Sequence, residues 1–107
     1  MEIDEYQKRA MSTALPTARN MQYMAYNMMS ELGEFMGYEA KAVRDNDGLV
    51  PEEKELLQKK ELGDMFWQLA GMADVKGWSL DEVAQVNLEK LGSRASRGMI
   101  GGAGDER

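Results

Sequence analysis

The chain has 107 residues, 30% of them charged, with a formal net charge of −6 and neither cysteine nor histidine. A length like this suits one domain whose core covers only part of its surface, which favours association between copies. The acidic balance excludes a broad basic face for gripping a nucleic-acid polymer. The missing side chains exclude thiolate and imidazole chemistry, ordinary zinc sites and a Ser-His-Asp arrangement.

Asp4 is expected to cap a first helix of about ten residues that carries Ile3, Tyr6, Ala10 and Met11 on one side, ended by Leu15-Pro16-Thr17. A second helix is expected over Asn20 to Arg44, because Met21, Met24, Ala25, Met28, Leu32, Phe35 and Met36 recur at steps of three and four. Asp45-Asn46-Asp47-Gly48 then stops it. Pro51 with Glu52 and Glu53 fits the first turn of a third helix running to Lys76, before Gly77. Ser79 and Glu82 have the form of a capping box, and Leu80, Val83, Ala84, Leu88 and Leu91 carry a fourth helix to about Ala95.

With no alternating β-branched run, the expected fold class is all-α: a four-helix-bundle core with two long central helices, oligomeric. The domain is expected over residues 1–97. Residues 98–107, with four glycines in ten positions, are expected to form a flexible tail. On the third helix Leu62, Phe66, Leu69 and Ala73 point one way, while Leu56 and Trp67 point roughly 100° or more away from them. A helix apolar on two sides predicts burial on two sides, hence a subunit interface. No apolar run approaches the roughly 18 residues of a membrane span, and no secretory leader is visible. A soluble, cytoplasmic protein is expected, with no membrane partner.

Chemistry concentrates in a repeated tetrapeptide, Glu31-Leu32-Gly33-Glu34 and Glu61-Leu62-Gly63-Asp64. Residues three apart share a helix face, so each copy presents two carboxylates side by side. On the second helix Asn20, Asn27, Glu31, Glu34, Tyr38 and Lys41 form one polar column flanking the apolar stripe. On the third, Leu57, Met65, Gln68 and Met72 surround Glu61 and Asp64. Gly33 and Gly63 each cost on the order of 1 kcal/mol of helix propensity relative to Ala, and close approach of the two backbones is the expected compensation. Two like charges 4 Å apart repel by about 4 kcal/mol at an effective dielectric near 20. Protons or a hard cation must relieve that, and all-oxygen ligation suits Mg²⁺ or Mn²⁺, then Ca²⁺. On the fourth helix Asn87, Lys90 and Arg94 share a face and, with Lys41, offer donors for phosphate oxygens; Lys90 and Arg94 also simply suit a negative helix end.

The E-x-x-E pair at Glu31 and Glu34, a gap of 26 residues, and the E-x-x-D pair at Glu61 and Asp64 together resemble the MazG-type nucleoside triphosphate pyrophosphohydrolases of the all-α NTP pyrophosphohydrolase superfamily. So do I-D-E-Y-Q near the start, K-E-L-G-D-M-F-W-Q-L-A and N-L-E-K-L-G-S-R. Asn27 and Gln68 depart from the glycine and the aromatic residue frequent in that family. The resemblance implies dimers or dimers of dimers, and Mg²⁺-dependent hydrolysis of a (d)NTP to (d)NMP and pyrophosphate, in nucleotide-pool house-cleaning. It also implies that Glu31, Glu34, Glu61 and Asp64 are metal ligands and catalytic, and that Lys41, Asn87, Lys90 and Arg94 bind substrate. Glu34 is the candidate general base. A different class of function is a non-catalytic oligomeric module whose acids bind a divalent cation or a basic partner. A ferritin-like di-iron site is disfavoured, since it uses Glu-x-x-His.

Overall fold

The computed structural model describes residues 1–102, 104 and 105. Four α-helices, and no strand among the described residues, make the architecture all-helical: α1 Ile3–Met11, α2 Met21–Asp45, α3 Glu52–Val75 and α4 Leu80–Ser96, with a 3₁₀ turn at Pro16–Ala18. Asn20 caps α2 by accepting from the Tyr23 N–H at 2.8 Å. Where α2 ends, Asp47 and Gly48 take left-handed φ values of 53° and 82°, and the Gly48 N–H returns to the Ala42 carbonyl at 3.0 Å. This is the usual way a helix satisfies its last carbonyls. Pro51 sits at the N-cap of α3, one position outside the first turn expected for it.

The start of α4 departs from expectation in an informative way. Ser79 and Glu82 make the expected capping box, at 3.1 and 3.0 Å. The two N–H groups between them are taken by α1: Leu80 donates to Gln7 Oε1 and Asp81 to Asp4 Oδ1, each at 2.9 Å. All four N-terminal donors of α4 are thus satisfied by side chains. Asp4 therefore does not cap α1, which begins after Glu2 without a side-chain cap; its carboxylate caps a helix remote in sequence. Gln7 is 8% exposed, and its Nε2 donates to the carbonyls of Ala70 and Trp78 at 3.2 and 3.1 Å. One amide thereby ties α1, α3 and α4 together.

Around that junction lies the core: Ala10, Met11, Ala70, Ala73 and Leu80, flanked by Ile3, Tyr6, Ala14 and Trp67. The Trp67 indole donates to the Ala10 carbonyl at 3.1 Å and to Thr13 Oγ1 at 3.0 Å, as an indole N–H set against a core should. The helix α3 is the hub, with α1 and α4 packed against it near one end and α2 along its length. The close approach of α2 and α3 lies at Gly71, where a Cβ would collide with the Sδ and Cε of fully buried Met24. At Gly33 and Gly63 an added Cβ would meet nothing within 4 Å. The two repeated glycines therefore do not bring the backbones together within this subunit, because the helices touch along a different edge.

A single chain leaves much apolar surface uncovered. Tyr26, Met29, Leu32 and Met36 on α2, Leu56, Leu62 and Leu69 on α3, and Val86 and Leu88 on α4 are all exposed. The radius of gyration is 16.9 Å, against about 13 Å for a compact domain of this length. Residues 103, 106 and 107 of the expected tail lie outside the described residues; Gly104 and Asp105, which are described, lie against Lys90 and Arg94 of α4. Among the described residues no helix is long and apolar enough to cross a membrane.

Candidate metal centre

The pairing of α2 with α3 brings Glu31, Glu34 and Glu61 together, so that one carboxylate oxygen from each lies within 4.8 Å of the others. Three acids from two helices meet because each helix presents its acidic residues on the side turned toward the shared groove. Glu31 and Glu61 are partly buried and Glu34 is exposed at the mouth. One oxygen of Glu31 and one of Glu61, both Oε2, are fully buried and have no hydrogen-bond donor. Such atoms are costly to leave unsatisfied.

Shared protons are the relief available inside the chain. The Glu31 carboxyl is pushed up to about 8, first by its hydrogen bond with Glu61, then by burial and by the charges of Asp64 and Glu34. Glu34 is raised too, chiefly through Glu61. Glu61 is held below the ordinary range because Glu31 and Glu34 donate to it. Asp64 stands outside the tight trio, yet its charge reaches Glu31 and Glu34 and adds to the burial that raises the Tyr6 phenol. The fourth acid of the motif is thus a neighbour of the cluster and lies exposed.

Beside the acids opens a cleft of about 280 Å³ lined by Glu34, Gly37, Tyr38, Lys41 and Glu61. Lys41 therefore falls where the polar column on the second helix put it. A second cleft of about 260 Å³ shares Tyr38 and Lys41 and runs to Asp45, Pro51 and Lys54 at the turn between the helices. Sequence reasoning passed over Gly37 and Lys54; the period of α2 from Glu34 pointed to Gly37, but nothing local marked Lys54.

The basic residues of α4 are arranged differently. Asn87 is exposed, Lys90 is half-buried and Arg94 is buried. Both cations are engaged by Asp105 of their own chain, at 3.0 and 3.3 Å. Because α4 packs on α1 and α3, no hydrogen bond or ion pair joins Lys90 or Arg94 to the acid cluster among the described residues.

With this geometry established, the comparison with known families is decisive: the model of the MazG nucleotide pyrophosphohydrolase domain matches residues 19–98. The chain belongs to the MazG family. The matched span starts just before α2 and ends just after α4, so it contains both acidic pairs and the basic face of α4. The Gene 37 protein of Mycobacterium phage L5 is 35% identical over a 114-residue alignment that covers all of both chains. No solved structure matches the chain.

Proposed function

We propose that this MazG protein is a Mg²⁺-dependent nucleoside triphosphate pyrophosphohydrolase that converts a (d)NTP to (d)NMP and pyrophosphate, serving nucleotide-pool house-cleaning. The observation that carries this is the pair of buried carboxylate oxygens, one on Glu31 and one on Glu61, with no donor to satisfy them. Oxygen-only ligands at this spacing fit a hard divalent cation, Mg²⁺ with Mn²⁺ as a substitute. Glu31, Glu34 and Glu61 would hold it, with Asp64 completing the set. Bound there, the cation supplies positive charge that polarises the phosphate chain and offsets the charge developing on the departing pyrophosphate.

The chain's own groups supply the remaining parts of the reaction. Glu34, the exposed member of the trio, orients a water and takes its proton as the water oxygen bonds to the α-phosphorus and displaces the α–β bridging oxygen. The bond to the bridging oxygen breaks, and the electron pair leaves with pyrophosphate. Lys41, in the same cleft, faces the phosphates. Asn87, Lys90 and Arg94 are proposed as further phosphate or sugar donors. The exposed apolar faces of α2 and α3 and the extended shape support assembly of dimers or tetramers, in which a second copy would close the helical bundle and cover those faces.

The test is pyrophosphate release from the eight common NTPs and dNTPs, with Mg²⁺ and with EDTA, beside Glu61→Gln. Turnover that requires both the metal and Glu61 is expected, and its preferred base identifies the substrate. Metal binding without turnover of any nucleotide would instead favour a non-catalytic, cation-binding helical module.

A further inference from the structure

Lys90 and Arg94 already hold an anion from their own chain. Beyond α4, Gly98, Gly102 and Gly104 take φ values of 69°, 113° and 88°, left-handed backbone that glycine adopts without a Cβ clash. Of this segment, Gly104 and Asp105 lie against the helix. There Asp105 Oδ1 accepts from Lys90 Nζ at 3.0 Å and from Arg94 Nη2 at 3.3 Å, and the Gly104 carbonyl accepts from the same Nη2 at 3.1 Å.

The two sides of this contact are unequal. The Arg94 side chain is 6% exposed, whereas the side chain of Asp105 is 79% exposed. Arg94 Nε is buried and has no partner. A guanidinium stripped of water, with an N–H still unused, suits an anion richer in acceptor oxygens than one carboxylate. An exposed carboxylate in that position is held weakly and exchanges readily.

We propose that Gly104 and Asp105 act as an intrasteric strap: Asp105 occupies the phosphate position at Lys90 and Arg94, and the triphosphate must displace it. This rests on Lys90 and Arg94 being phosphate donors, as proposed above. The strap closes only the free protein, so it raises the substrate concentration needed for binding and leaves the chemical step untouched.

The test uses the full-length chain with Asp105→Asn, Lys90→Ala and the double variant. KM and kcat are measured for the preferred nucleotide, and the affinity for inorganic tripolyphosphate is measured by titration calorimetry. Asp105 is exposed, so Asp105→Asn is expected to fold normally. It should lower both KM and the tripolyphosphate Kd by about two- to fivefold, the order expected for ion pairs whose carboxylate is solvent-exposed, with kcat unchanged. The gain should shrink at high ionic strength and in the Lys90→Ala background. Unchanged or weakened binding in Asp105→Asn would overturn the strap. If no nucleotide is turned over but tripolyphosphate still binds more tightly to Asp105→Asn, the strap stands and the pyrophosphohydrolase reading falls. Turnover with KM and Kd both unmoved leaves the enzyme and removes the strap.

Discussion

Glu31 on α2 and Glu61 on α3 share a hydrogen bond that raises the first carboxyl to about 8 and lowers the second. Two acids in such contact need a proton between them, or a cation in its place. That exchange makes the metal-free protein's stability depend on pH.

Glu31 binds its proton more tightly folded, near 8, than at the ordinary value of 4.5. Its stabilising contribution is therefore complete below about 4.5 and is lost as pH rises through 8. Glu34 acts in the same direction; Glu61, with its lowered carboxyl, acts in the opposite one and loses its contribution as pH falls. Thermal melts in EDTA should show Tm declining from about pH 5 to pH 8. Saturating Mg²⁺ should remove most of that decline, and Glu31→Gln should flatten it without metal.

Glu34 is the exposed acid at the mouth of the cleft. Removing a general base costs about 10²- to 10⁴-fold in rate. Glu34→Gln should therefore lower kcat by that order while retaining most nucleotide affinity, measured by calorimetry in the presence of Mg²⁺. Loss of nucleotide binding in step with turnover would reassign Glu34 to ligand holding alone.

Leu62 is 55% exposed and Leu69 is 47% exposed, on one face of α3. Burying the remaining half of each against a second copy is worth roughly 0.8–1.5 kcal/mol, about half the value for full burial. Sedimentation velocity at micromolar concentration should find a dimer or tetramer, and Leu62→Glu with Leu69→Glu should shift it toward monomer. A wild-type monomer at that concentration would rule out an interface on this face.

Gly71 faces the Met24 side chain, while Gly33 faces open space. Gly71→Ala forces a side chain off its rotamer and should cost about 1–3 kcal/mol. Gly33→Ala gains helix propensity and should stabilise the subunit by about 0.5–1 kcal/mol. Urea denaturation of the two variants compares the signs directly. A stabilised Gly71→Ala would show that α2 and α3 do not meet there.

Much of the local geometry of the candidate site was legible in the chain because it depends on short-range spacing. The spacing of Glu31 to Glu34 and of Glu61 to Asp64 placed each pair on one helical face before any tertiary contact was known. Ser79 with Glu82 marked a helix start through bonds spanning three residues, whereas Asn20, expected as the first residue of the second helix, is its cap. These features follow from a 3.6-residue turn and local hydrogen bonding.

Tertiary structure decided which faces meet. Asp4 looked like a cap for its own helix and instead caps α4, since a carboxylate satisfies whichever N–H the packing brings near. Gln7 had no local mark, yet it joins three segments across 63 to 73 residues of sequence. The repeated Gly33 and Gly63 suggested the helix contact, but Gly71 makes it. Asp64 matches the motif but lies outside the closest trio. Composition and periodicity determined which helices form and which acids share a face; only the relative rotation and crossing of α2, α3 and α4 selected the contacts, because that depends on side-chain packing between segments far apart in the chain.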